Sequence, residues 1–290
     1  MKIFIVIPFL IFFSAQLFAQ NLNGRLSSSV YSFERFDTVG SSTNFTRGYQ
    51  TMNLNFTEGD FSLRSAMNFE HSYTSDLDID PRLRVYNLFL EARKVLDVMT
   101  LRIGRQTFFA SSLSGLYDGA SINVKYGNFT LSSYYGGNVP AFQKFELTDD
   151  FNTDYVYGAK VSSNIINNFD LSLSFVNKNF KPQEYFAVRL DENLFSDTIL
   201  VKRKSNQFKY ASGAITYSLP NQLRVTLAAD YDINFKKTSK VEFDSRVDLT
   251  DDLGLNLFYF FREPRIRYNS YFAIFRVENS QEYGAGVDYK

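Results

Sequence analysis

The stretch LRVTLAADYDINF (223–235) decides the fold. Its odd positions are apolar: Leu223, Val225, Leu227, Ala229, Tyr231, Ile233 and Phe235. Its even positions are polar or small: Arg224, Thr226, Ala228, Asp230, Asp232 and Asn234. Period-two alternation predicts a strand with one apolar and one wet face. Strands of soluble proteins run to about 5–6 residues, so this one overhangs any ordinary sandwich core. At about 3.3 Å per residue it is roughly 43 Å long. Tilted by about 40°, it rises about 33 Å, enough to cross an apolar band about 25 Å tall. The charged face must then turn away from lipid, where an Arg at mid-depth costs roughly 2–4 kcal/mol.

The pattern recurs along the chain. FSLRSAMNFEHSYT (61–74) sets Phe61, Leu63, Met67, Phe69 and Tyr73 against Ser62, Arg64, Asn68, Glu70 and Ser72. VEFDSRVDL (241–249) sets Val241, Phe243, Val247 and Leu249 against Glu242, Asp244, Arg246 and Asp248. The segments 100–106, 169–177 and 208–219 read the same way. No segment shows a 3.6-residue apolar stripe with caps, so the chain is all-β. Short turns are predicted at 57–60, 95–98, 126–128, 164–168, 220–222 and 250–252. Longer loops are predicted at 37–43, 74–82, 107–117, 138–152 and 178–205. Alternating short and long connections are the rhythm of an outer-membrane barrel. Toward the C-terminus it fades, because KKTSK (236–240) and REPR (262–265) are both short.

The N-terminus supports export. MKIFIVIPFLIFFSAQLFAQ (1–20) has a basic start, an apolar run from Ile3 to Phe13 and a small-residue exit around Ala15 and Ala19. That is the layout of a cleaved signal peptide, and the run is too short to span a membrane, which takes about 20 apolar residues. Residues 21–290 then form one domain. Cys 0 excludes both a lipid anchor near the cleavage site and a disulfide framework. A net charge of +0 offers no basic field for nucleic acid. Phe 31 and Tyr 19, with Trp 0, leave Phe and Tyr to form any interfacial girdle.

One segment carries a family likeness. RLRVYNLFLEARKVLDVMTLRIGRQTFFASSLSGLYDGASINVKYGNFTLSSYYGG (82–137) contains Gly104-Arg105-Gln106 and, after a loop, Gly115-Leu116-Tyr117-Asp118-Gly119-Ala120. It resembles Gram-negative outer-membrane porins of the alginate-export and carbohydrate-porin type. The resemblance implies a passive channel for small solutes. It carries no particular substrate, because the arginine-lined constriction of an alginate exporter has no residue-by-residue match. Counting from 22–36 gives about fifteen strands, while closed single-chain barrels have even numbers. Gly286-Val287-Asp288-Tyr289-Lys290 fits a barrel-terminal signature and stops one residue short. The expectation is an antiparallel transmembrane barrel of about 14–16 strands, either C-terminally truncated or unusually ended.

Chemistry candidates are few. The one His, His71, shares the parity of Phe69 and Tyr73 and is expected to face the lipid interface, which argues against a His-based hydrolase. Without Cys and with a single His, zinc, haem and iron–sulfur ligation are excluded. Asp76, Asp78 and Asp80 have calcium-loop spacing, but Pro81 replaces the Gly and Asn87 the bidentate Glu. No cofactor or metal is expected. By parity Arg64, Arg102, Arg224, Arg246 and Arg267 face the lumen, with Glu70, Asp230, Asp232, Glu242, Asp244 and Asp248. Such charges set ion selectivity or pair to stiffen the wall, and their mixed signs predict weak selectivity. Strict parity turns Arg105 outward, although it sits where its strand leaves the apolar band. Phe258 and Phe260, with Tyr271 and Phe275, form an aromatic track or pack against an inward loop such as 178–205. The expected partners are outer-membrane lipid, the barrel-assembly machinery and small hydrophilic solutes. The alternative is a non-conducting barrel whose loops 138–152 and 178–205 bind a ligand or partner.

Overall fold

The computed structural model describes residues 21–38, 40–74, 81–110, 113–140, 143–181, 184–190, 194–202, 207–250, 252–263 and 278–289. The signal segment 1–20, Asp76, Asp78, Asp80, Arg267, Tyr271 and Phe275 lie outside them. Sixteen strands and no α-helix occur among the described residues. They are β1 (Leu22–Thr38), β2 (Ser41–Glu58), β3 (Phe61–Ser72), β4 (Arg82–Val95), β5 (Met99–Ala110), β6 (Leu113–Tyr126), β7 (Phe129–Asn138) and β8 (Tyr155–Ser163). There follow β9 (Phe169–Asn179), β10 (Glu184–Leu190), β11 (Ser196–Lys202), β12 (Phe208–Leu219), β13 (Leu223–Asp232), β14 (Lys237–Asp248), β15 (Leu253–Arg262) and β16 (Ser280–Tyr289). Fourteen strands lie in one sheet in the order β1 to β9, then β12 to β16, while β10 and β11 form a separate hairpin. By packing, one unit comprises the chain to Thr107 with Asp118–Ala120 and Val139–Leu147, and the second comprises the rest.

The predicted short turns at 164–168 and 220–222 lie between strands, those at 57–60, 95–98 and 126–128 overlap the strand end before them, and 250–252 includes Asp251, outside the described residues. Five expectations are corrected. β1 runs to Thr38 and β2 begins at Ser41, its partner, so most of 37–43 is strand and not a long loop. Strands β5 and β6 run on to Ala110 and from Leu113, so most of 107–117 is strand. The segment 178–205 holds the β10–β11 hairpin, a pair of short strands absent from the count of about fifteen. β13 ends at Asp232 and does not reach Phe235. There the Asp232 carboxylate accepts the backbone N–H of Asn234 (2.9 Å) and of Phe235 (3.1 Å). An Asp that bonds its own backbone two residues on replaces the ladder with a turn. The following strand therefore begins at Lys237, inside the segment read as a turn.

Burial is reversed relative to a water-soluble protein. In the first unit Leu22, Phe56, Leu63, Leu90 and Ile103 pair successively across five strands. Of these Leu22, Leu63, Leu90 and Ile103 are exposed, Ile103 by 65%. In the second unit Leu171, Ile215, Leu227, Phe243, Tyr259 and Tyr283 make a similar row. The opposite face holds some of the most buried side chains of the protein, among them Glu91, Asp230, Ser62 and Ser239. Exposed apolar rows of this extent mark a surface that meets something other than water.

β4 carries a bulge: Ala66 pairs with Asn87 and Met67 with Val85, leaving Tyr86 as an extra residue. On β5, Gly104 has φ +128°, and a Cβ there would lie 2.3 Å from the Leu88 carbonyl oxygen. Gly104→Ala is expected to destabilise the fold by about 1–3 kcal/mol. A lowered denaturant midpoint in detergent micelles checks this; an unchanged midpoint refutes it.

Candidate functional site: the charged face and a loop anchor

In the first unit the polar face gathers charge around two glutamates. Glu91, 2% exposed, accepts Arg102 Nε at 2.7 Å and Arg64 Nη2 at 3.3 Å, with Ser62 Oγ at 3.3 Å and Arg93 Nε at 3.7 Å. Glu70 sits one bulge further along the neighbouring strand, facing Arg47 at 3.5 Å and Arg82 and Arg84 at 3.7 Å each. Arg64, Arg102 and Glu70 thus share the face that parity predicts. Glu91, Arg47, Arg82 and Arg84 were not found from the sequence, although a signal exists. Apolar residues occupy odd positions at Leu83 and Val85, then even positions at Leu88, Leu90 and Ala92. That switch is the Tyr86 bulge, and it moves Glu91 onto the polar face.

Arg105 is bonded at every nitrogen of its guanidinium. Its Nε and Nη2 donate to Asp118 Oδ1 and Oδ2, both at 2.7 Å. Its Nη1 donates to the carbonyls of Val85 (3.2 Å), Gln143 (3.2 Å) and Lys144 (2.7 Å), and Nη2 also to Glu146 (2.9 Å). Both side chains are nearly sealed, Arg105 at 5% and Asp118 at 6% exposure. Strict alternation would leave Arg105 on the apolar face, but Gly104 at φ +128° interrupts the regular pleat there. Gln106 Nε2 donates to the Gly119 carbonyl at 3.3 Å. Gly104, Arg105, Gln106, Asp118 and Gly119 are therefore brought together, and they tie down residues 143–146. Planar guanidinium geometry with several donors in one fork suits this task better than a lysine ammonium.

In the second unit the predicted charges lie on β13 and β14. Arg224 stands opposite Arg246, Thr226 opposite Asp244, Ala228 opposite Glu242, and Asp230 opposite Lys240. Arg246 pairs with Asp248 at 3.2 Å and approaches Asp288 at 3.9 Å, while Glu242 pairs with Lys240. Asp230 is 1% exposed, and Asp232 is taken up as the turn cap. Phe258 and Phe260 stand opposite Asp244 and Glu242, their rings 5.4 Å apart. An apolar cluster on the same unit joins Phe108, Tyr117, Val156, Val176 and Tyr210. In the β7–β8 connection the Thr153 hydroxyl, 2.7 Å from Asp150, holds that carboxylate below its ordinary range, assisted by the Asn152 and Thr153 N–H groups. The Lys181 ammonium is raised by its bonds to Asp149. A lowered carboxylate stabilises this turn above the ordinary Asp range and loses that contribution as pH falls through its shifted value.

His71 is exposed and packs edge-on to Tyr73 at 5.5 Å, as its parity predicts. No cluster of three metal-ligating side chains occurs among the described residues. The hairpin residues Tyr185, Phe186, Val188, Leu190, Leu194 and Phe195 are exposed.

No family model matches the chain, and no curated protein matches it. Among solved structures it is similar to a ferric enterobactin receptor (PfeA mutant) from Pseudomonas aeruginosa, with 10% identity and a TM-score of 0.52. That match covers 93% of this chain and 52% of the receptor, so the chain spans about half of the receptor's length. OprB of Pseudomonas putida matches with 6% identity and a TM-score of 0.45, over 86% of this chain and 77% of that one. OmpT, an outer membrane protein of Vibrio cholerae, matches with 12% identity and a TM-score of 0.43, over 93% and 82%. The likeness to the receptor is one of fold, the antiparallel transmembrane β-barrel class.

The anchor has a direct check. Asp118→Asn leaves Arg105 buried without its countercharge, which costs about 3–5 kcal/mol for a pair this enclosed. Arg105→Lys is expected to free residues 143–146, seen as new protease cleavage there in otherwise folded protein. Unchanged cleavage in Arg105→Lys would show that the anchor does not hold the segment.

Proposed function

We propose that the chain is an outer-membrane, porin-like channel through which small hydrophilic solutes diffuse passively. The observation that carries this reading is the reversed burial: apolar rows outside, a charged and hydrogen-bonded face opposite. A strand with that distribution is stable where one face meets hydrocarbon and the other meets water. The sequence layout supports export by a cleaved signal peptide (1–20), with 21–290 as one barrel domain. Outer-membrane lipid and the barrel-assembly machinery are then its partners. The charged residues of both signs on the polar face support weak selectivity between simple cations and anions. Residues 143–146, held by Arg105, are the segment best placed to shape the passage in the first unit. The exposed side chains of the β10–β11 hairpin argue against that hairpin as a lumen plug.

Single-channel recording tests the proposal. Protein reconstituted into a planar bilayer under a salt gradient is expected to show discrete conductance steps with a small reversal potential. Absence of steps from demonstrably inserted protein overturns the channel reading and leaves the closed barrel in its place.

A further inference from the structure

On the polar face of the second unit, Lys160 is a fixed charge without a countercharge. Other lysines of the unit are engaged. Lys178 is held between the Phe108 and Phe180 rings, at 5.3 and 4.8 Å. Lys181 pairs with Asp149, Lys237 with Glu263 and Lys240 with Glu242. Lys160, on β8, is exposed and engages no carboxylate, hydrogen-bond acceptor or ring among the described residues. Register places it on the polar face: Ser132, Lys160, Ser174, Ser212 and Asp230 are successive partners across β7, β8, β9, β12 and β13. One position away runs the apolar row Leu131, Val161 and Leu173, all exposed.

Register also keeps carboxylates away from it. β7, β8 and β12 contain none, and Asp118 of β6 is already bound by Arg105. On β9 the carboxylate is Asp170, four residues from Ser174 and so about 13 Å along the strand. Asp230 lies three strands away, about 14 Å at the usual strand spacing. Both exceed the screening length of about 8 Å at physiological salt, so neither cancels the field of the ammonium. The immediate neighbours are hydroxyls. Ser132 and Ser174 stand opposite Lys160, Ser162 lies two residues along, and Thr130 and Ser172 stand opposite Ser162. On the other side Gly158 lets the Tyr134 phenol lie across β8, where a Cβ would come within 2.5 Å of its oxygen. That ring packs with Phe108 and Tyr117 and closes the face there. A hydroxyl can turn its proton toward an anion. We infer that Lys160 determines specificity in the passage: with Ser132, Ser162 and Ser174 it forms a station for small monovalent anions. A single charge among neutral hydroxyls attracts an anion without trapping it, as conduction requires.

The inference rests on the channel reading and names the class of solute that this wall favours. Reversal potentials in planar bilayers under a potassium chloride gradient read it, with chloride as the probe anion. Lys160→Glu is expected to lower the chloride-to-potassium permeability ratio about threefold and Lys160→Gln about twofold. Lys160→Arg keeps the wild-type ratio. Lys209→Gln is the control, because register sets Lys209 on the opposite face with Tyr157 and Tyr135, and it leaves the ratio unchanged. Lys160 is exposed and bonds to no described neighbour, so its variants fold, which heat-modifiable gel mobility verifies for each. Conducting Lys160→Glu and Lys160→Gln proteins with the wild-type ratio overturn the inference and leave the channel standing. An equal fall in Lys209→Gln and Lys160→Gln also overturns it, since net charge alone would then explain the effect. Absence of conductance from inserted wild-type protein overturns both readings.

Discussion

A chain that crosses hydrocarbon must satisfy its own backbone, because nothing there accepts or donates a hydrogen bond. In this protein the inner strands of the main sheet meet that demand through a neighbour on each side, and β1 and β16 through one neighbour each. β1 and β2 stay in register from Leu22↔Phe56 to Phe36↔Ser42. Once the ladders fix the pleat, each side chain has only two directions to choose between. The apolar rows then follow from pairing, since Leu63, Leu90 and Ile103 are cross-strand partners. So does the gathering of charge, since Ser62, Glu91 and Arg102 are partners one position away.

The polar face is not a uniform lining. Where an arginine and a carboxylate meet within hydrogen-bonding distance, as in Arg105–Asp118, they act as fasteners for the backbone around them. Here the fastened element is the segment 143–146, whose three carbonyls all point at one guanidinium. Where several arginines share one carboxylate, as around Glu70, they stand 3.5 to 3.7 Å from it and spread its charge over two neighbouring strands. On β13 and β14 the pairs are partly exposed, and water screens them. The same residue types therefore do different things, according to geometry and enclosure.

Parity read from the sequence placed Arg64, Glu70, Arg102, Arg224, Glu242, Asp244 and Arg246 on the face where they lie. It failed where the pleat is interrupted. The extra residue Tyr86 moves Glu91 across the sheet relative to Arg84, and Gly104 at φ +128° does the same kind of thing to Arg105. It also overran the end of β13, because Asp232 was counted as one more polar position and not as a side chain that caps its own turn. The hairpin within 178–205 was missed for another reason. Both of its faces mix apolar residues with charged ones, such as Glu184 and Lys202 on one and Arg189 and Asp197 on the other, and a short strand pair has little pattern to read.

By itself the sequence determined the all-β class, the face on which most charges lie and the positions of the short turns. Those follow from a period of two, which is local and survives without knowledge of partners. The tertiary structure alone decided which charge meets which. Arg105 finds its acceptors in Val85, Asp118 and residues 143–146, and three arginines from two strands meet one glutamate on a third. Cross-strand register and bulges set those meetings, and neither is a property of any single stretch of residues.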